Sequence, residues 1–125
     1  MKKLISPVWL PDVADSNYAA ALAYLSLKLN TAQAEQIVSE LRSTPVTERR
    51  ANDLLRACEY APLPLSDPGV RHEYSKLSKG RSLSPILVVS FAMGADIADG
   101  YHRLSYSYAV SPYELVPLRL VEFRE

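Results

Sequence analysis

Apolar positions in the first half of the chain recur at helical spacing. Tyr18, Ala19, Leu22, Leu25 and Leu29 keep one broad face hydrophobic, and Asp15 or Ser16 stands where an N-cap belongs. Alanines fill so much of the remainder that this helix is expected to pack against more than one neighbour. Asn30 or Thr31 ends the run and caps a second helix, with Ala34, Ile37, Val38 and Leu41 on one side. Beyond Thr44-Pro45 the pattern predicts a third helix over 47–58. Its inner face carries Ala51, Leu54, Leu55 and Cys58, and Glu48, Arg49, Arg50 and Asp53 lie mostly on the outer one. No glycine, and no proline other than Pro45, interrupts residues 17–58.

The period changes in the second half. Residues 61–69 contain three prolines, which lack a backbone donor and fix φ, so they read as a connector. A short helix over 70–78 follows, with Val70, Tyr74 and Leu77 as its apolar face and Gly80 placed as its C′ residue. Ile86-Leu87-Val88-Val89-Ser90-Phe91 reads as a strand, and Ala92-Met93-Gly94 is a hairpin-like link to a second strand over 95–98. A helix over 101–109 comes next. Ser111-Pro112-Tyr113-Glu114 then turns the chain into a strand over 116–123, where Pro117 suits an edge or entry position. Together these elements predict one α+β domain, with a helical layer from 1–60 and a small sheet crossed by a helix from 61–125.

Composition narrows the class. A chain of 125 residues, 48% hydrophobic and 22% charged, can bury a single core without staples. Fourteen basic residues balance fourteen acidic ones, which argues against a nucleic-acid partner held by phosphate neutralisation. The single cysteine, Cys58, excludes an internal disulfide and a cysteine-rich zinc site and fits a reducing cytoplasm. Met1-Lys2-Lys3 begins like a signal peptide, but no apolar run precedes Pro7 and Pro11. The apolar stretch 18–29 is broken by Ser26 and Lys28 and is too short to span a bilayer. The expectation is a cytoplasmic protein without a membrane partner.

Candidate chemistry concentrates in Ile97-Ala98-Asp99-Gly100-Tyr101-His102-Arg103, a glycine turn between a strand and a helix start. Backbone N–H groups at a helix N-terminus lack intrahelical partners, and arginine adds a planar cationic fork suited to phosphate. A cation in the first turn of a helix is unfavourable unless an anion lies nearby, which points to a phosphate or carboxylate beside Arg103. The favoured partner is an external anion, with an internal one, such as Asp96, Glu114 or Glu122, as the alternative. Asp99 could hold a metal or act as a base while His102 contacts a phosphate, or it could simply cap the helix. The basic run Arg71, His72, Lys76, Lys79 and Arg81 reads as a solvated helix face or, if it borders the turn, as extra phosphate contacts. Tyr101, Tyr106, Tyr108 and Tyr113 read as helix and core packing, Trp9 as a packing anchor, and no metal-spaced histidine pair, Gly-x-Ser-x-Gly or Walker pattern is present.

The succession Lys76-Leu77-Ser78-Lys79-Gly80, Leu83-Ser84-Pro85-Ile86-Leu87-Val88-Val89, the Asp99-Gly100-Tyr101-His102-Arg103 turn and a strand beginning Val116-Pro117-Leu118 resembles the ParB N-terminal/sulfiredoxin-like superfamily. The resemblance covers about 70–123 and implies a small mixed sheet, with 1–60 as a helical extension found in a subgroup of small ParB-like proteins. It implies that Gly100, His102 and Arg103, with Lys79 and Gly80, contact the phosphates of a nucleotide or phosphorylated small molecule. Asp99 falls where free-serine kinases of the superfamily have Asp-Gly-His, which implies catalytic roles for Asp99 and His102 and a Mg²⁺ ion or water held by Asp99. Sulfiredoxins carry a cysteine in this turn; here there is none, so sulfinic acid reduction is not expected. The CTP-hydrolysing partition proteins carry Gly-Glu-Arg-Arg, where this chain has Tyr101 and His102, and no helix-turn-helix region is expected, so a sequence-specific partition role is not expected either. Two function classes remain. One is a nucleotide or phosphate binder, a phosphotransferase or nucleotide hydrolase if catalytic. The other is a non-catalytic regulatory or interaction module that keeps the fold, with a homodimer or docked partner held by surplus apolar surface over 18–29. DNA nicking, a third idea, is disfavoured by the balanced charge and the lack of a carboxylate cluster.

Overall fold

A computed structural model describes residues 3–124, in which nine elements follow one another. They are α1 (Asp15–Leu25), α2 (Thr31–Ser43), β1 (Thr47–Arg50), α3 (Ala51–Cys58), α4 (Pro68–Ser78), β2 (Ile86–Phe91), β3 (Gly94–Asp99), α5 (Tyr101–Val110) and β4 (Leu115–Glu122). Several helix ends follow directly from local chemistry. Asn30 accepts a hydrogen bond from the Gln33 N–H at 2.8 Å while the Gln33 side chain accepts from the Asn30 N–H, a reciprocal capping box for α2. At the end of α4, Gly80 takes φ +79°; its N–H donates to the Leu77 carbonyl and that of Arg81 to Lys76, closing the helix as the glycine predicts. The start of α4 is earlier than its apolar pattern suggests. Asp67 caps it through the Gly69 and Val70 amides, so Pro68 becomes the first helical residue, where a missing N–H is harmless. For α1 neither Asp15 nor Ser16 is the cap: Ala14 takes that position without a side-chain bond, and Asp15 lies in the first turn.

The largest departure from the sequence pattern is at 47–50. Thr47-Glu48-Arg49-Arg50 is a strand, not the first turn of a helix, and it pairs antiparallel with β4 from Thr47↔Leu118 to Arg50↔Leu115. Those four residues show no alternation and contain good helix formers. What holds them extended is the otherwise unpaired backbone of β4, distant in sequence. The Ala51 and Asn52 amides continue the contact by donating to Glu114 and Pro112, so the helix begins only at Ala51.

The sheet order is β1-β4-β2-β3, with β4 and β2 parallel between antiparallel outer pairs. The domain is therefore mixed α+β with a mixed sheet. Pro117 lies one residue before the pairing of β4 with β2 begins at Leu118, so its absent N–H removes no bond on that side. Alternation along the strands divides the core between two faces. Leu87, Val89, Ala98 and Val121 meet Tyr18, Ala21 and Leu25 of α1 and Ile37 and Leu41 of α2. Ile86, Val88, Ile97 and Leu118 meet Leu54, Leu55 and Cys58 of α3 and Leu104 of α5. A smaller cluster of Val70, Leu77, Leu83 and Tyr106 fastens α4 to α5, with Trp9 packed between it and the α3 face. Residues 1–60 are thus not a single helical layer: α1 and α2 cover one face, β1 joins the sheet, and α3 covers the other face. Helix α1 meets two neighbours, β3 and α2. Among the described residues no helix is long and apolar enough to cross a membrane.

Candidate functional site

The turn after β3 is built as a tight corner. Gly100 takes φ +116°, and a Cβ there would lie 2.4 Å from Ile86 Cγ2, so both backbone angle and space demand glycine. No side chain caps α5; the Asp99 carboxylate does not reach its amides. It turns instead to Arg103, accepting from Nη2 at 2.8 Å. Arg103 is 7% exposed, its Nη2 also approaches the Pro85 carbonyl at 3.4 Å, and its Nε has no hydrogen-bond partner among the described residues. The anion demanded by a cation in a helix's first turn is thus supplied from within. It is none of the expected Asp96, Glu114 and Glu122 but Asp99, one helical turn back along the chain. The cap expected of Asp99 is absent for the same reason.

His102, the residue before Arg103, lies exposed, with Nε2 3.5 Å from the Asp67 carboxylate. Its ring covers Gly69, where a Cβ would meet it at 2.2 Å. Asp99, Gly100, His102 and Arg103 are therefore brought together, but between two carboxylates. Lys79 and Gly80 do not join them. His102 touches the N-terminal end of α4, and those two residues stand exposed past its C-terminal end, about 16 Å along the axis at 1.5 Å per residue. The rest of the basic run divides likewise. Lys76 pairs with the buried Glu73, and Arg71 and His72 line a concavity of about 690 Å³ with Leu65, Pro68 and Tyr74. Among the described residues no three His, Cys, Asp or Glu side chains gather as a metal shell. Of the tyrosines, Tyr106 is fully buried and bonds the Ile5 backbone, Tyr101 packs on Tyr60 with ring centroids 5.1 Å apart, and Tyr113 is exposed.

A second constellation escaped the sequence pattern. Asp96, on the edge strand β3, is buried, and its carboxylate accepts from Tyr24 at Oδ2 and from Tyr60 at Oδ1, each at 2.7 Å. Lys28 completes the group with an ion pair to Oδ2. Because Asp96 sits at the sheet edge, it ties the end of α1 to the residues just after α3, which cover opposite faces. Burial pushes the Asp96 carboxyl up, but hydrogen bonds from Lys28, Tyr60 and Tyr24 outweigh it and leave the group below its usual value. The Tyr60 hydroxyl is held far above its ordinary range by its bonds to Tyr24 and Asp96. Burial, helped by the Asp96 charge, pushes the Cys58 thiol up to about 11, which keeps it protonated and unreactive. A concavity of about 450 Å³ opens over this group, lined by Lys28, Cys58, Tyr60, Phe91, Met93 and Asp96 among others. The only signals in the sequence were an acid inside an apolar strand run, Ala95-Asp96-Ile97-Ala98, and the four-residue spacing of Tyr24 and Lys28.

Compared with protein-family models, with curated proteins and with solved structures, the chain matches no family model, no curated protein and no solved structure.

Proposed function

We propose that this chain is a non-catalytic binding module on a ParB/sulfiredoxin-like frame, whose Asp-Gly-Tyr-His-Arg turn serves as an internal clasp. The order α4, a strand opening at Pro85-Ile86, a hairpin strand, a glycine turn with arginine in the first helical turn, and a last strand supports that frame. The observation that carries the functional reading is Arg103, buried and closed on Asp99. An incoming phosphate would have to displace one carboxylate from the guanidinium and then face another, Asp67, beside His102. Like-charge repulsion in a poorly solvated corner offsets what the helix N-terminus offers. Surface for binding exists instead at the β2–β3 hairpin, where Met93 is 95% exposed. The concavity over Asp96 and a second of about 580 Å³ share Leu29, Phe91 and Met93 there. A homodimer through the N-terminal helices has less to use, because Tyr18, Ala21 and Leu25 face the sheet and α1 exposes mainly Ala19, Ala20 and Ala23.

One observation favours the other class. The unpartnered Arg103 Nε and the uncapped start of α5 are donors that a phosphate seated at Gly100, His102 and Arg103 would satisfy. In that reading the bound species is a nucleotide, Asp99 releases Arg103 to hold Mg²⁺, and the activity is phosphate transfer or nucleotide hydrolysis. Isothermal titration with ATP, CTP and GTP in Mg²⁺ separates the two. The clasp reading expects no saturable heat; saturable binding by the wild type that Arg103→Ala abolishes overturns it.

A further inference from the structure

We infer that Asp96, Tyr24, Tyr60 and Phe91 form a receptor for a primary alkylammonium group, which the chain's own Lys28 occupies as a displaceable plug. The inference deepens the binding reading of the hairpin rim. It is independent of the turn, so nucleotide binding would overturn the clasp and leave this receptor standing.

The anion is preformed. Asp96 is 5% exposed, and each carboxylate oxygen already accepts one phenol, so the charge stays oriented whether or not a cation is present. The rings supply the walls. Lys28 Nζ lies 5.6 Å from the Tyr24 centroid and 5.9 Å from that of Phe91, within the range where an ammonium is drawn to aromatic faces. Tyr60 lines the same concavity, and Glu59 adds a further acidic residue at its margin. Among the described residues no cation other than Lys28 lines it.

The plug is poorly anchored compared with its socket. Lys28 belongs to the turn directly after α1, next to the exposed Leu27, and its own side chain is 44% exposed. Rotating one lysine outward would extend the 450 Å³ concavity onto the Asp96 carboxylate. The chemistry selects among cations. A primary ammonium has three N–H donors, one for Asp96 Oδ2 and the others turned toward ring faces. A quaternary ammonium has none to give that oxygen, and a guanidinium is planar and wider than the group the socket now holds. An alkyl stem leaving the socket would run past Phe91 and Met93 toward the adjoining hollow. The ligand is therefore a primary amine on an apolar chain, either a free diamine or a lysine side chain of a partner protein.

The experiment uses the whole chain and its Lys28→Met variant, which keeps the apolar stem and removes the charge. Thermal unfolding is followed against n-butylammonium, putrescine, Nα-acetyl-lysine methylamide, tetramethylammonium and sodium chloride at equal ionic strength. The expected result is saturable stabilisation of Lys28→Met by the primary amines and none by tetramethylammonium or salt. Adding Asp96→Asn should abolish it. Putrescine acting alone identifies a free diamine; the lysine amide acting alone identifies a partner's side chain. In the wild type the apparent affinity should be weaker by at least about tenfold, because the plug leaves the socket only part of the time. No saturable response to any primary amine, or one that survives Asp96→Asn or is matched by tetramethylammonium, overturns the inference. Should Lys28→Met not fold, backbone amide NMR of the wild type with n-butylammonium decides. Saturable shifts at Lys28 and across Gly94–Asp99 support the receptor, and their absence refutes it.

Discussion

Replacing Asp99 with alanine leaves the Arg103 guanidinium buried with no counter-charge. The side chains of the pair are 8% and 16% exposed, so water cannot take over the missing role. Breaking a buried ion pair from one side costs about 3–5 kcal/mol, chiefly because the orphaned charge stays desolvated. For a chain of 125 residues the entropy of unfolding is about 0.26 kcal/mol per kelvin, so each kcal/mol moves the midpoint by about 4 °C. The variant should therefore melt about 11–19 °C below the wild type. Asp99→Asn keeps one carbonyl acceptor and should lose less, about 1–3 kcal/mol. Replacing both partners by apolar residues, Arg103→Met with Asp99→Leu, should recover most of the loss of Asp99→Ala, giving a large coupling in a double-mutant cycle. Circular dichroism during heating and urea titration measures the wild type, these variants and the single Asp99→Leu and Arg103→Met proteins that close the cycle, and the differences should change little with salt because the pair is shielded. An Asp99→Ala protein within about 0.5 kcal/mol of the wild type would refute the clasp. Arg103 would then be solvated in solution and available to an external anion.

The remaining predictions probe the glycine corner and the buried carboxylate. Gly100→Ala should destabilise by at least about 2 kcal/mol, since it combines a disfavoured positive φ with a Cβ driven into Ile86, and urea unfolding that shows no loss would refute that geometry. The folded-state carboxyl of Asp96 lies below its ordinary value of 3.8. Its contribution is therefore complete above that pH and is lost as pH falls through the lower folded value. The wild type should thus lose stability more steeply than Asp96→Asn on acidification below pH 3.8, and parallel acid-unfolding curves would show that the carboxylate is not held ionised.

The legible parts of the fold are those written in neighbouring residues. The Asn30–Gln33 capping box, the Gly80 helix end and the hairpin linking β2 to β3 each satisfy backbone groups within a few positions. Strand β2, with its β-branched run, and α5, beginning at Tyr101, fall where the hydrophobic pattern places them. The corner at Gly100 was visible too, because a glycine between a strand and a helix is a backbone statement. Arg103 was correctly marked as needing an anion, since the helix dipole makes that demand whatever the fold. Which anion answers depends on where the end of β3 points, and one turn of chain was enough for Asp99 to reach it.

Tertiary structure decided everything that depends on segments meeting. Glu48, Arg49 and Arg50 have helical preferences, yet β4 holds them extended by backbone hydrogen bonds worth more in sum than those preferences. Lys79 and Gly80 follow the helix whose start lies beside His102, but its axis carries them to the far end. The group around Asp96 draws on α1, the segment after α3 and the edge strand, three stretches that no periodicity connects. Local patterns specify which backbone groups and faces seek a partner. Only the packed sheet, by placing distant chain within hydrogen-bond reach, determines which partner each one finds.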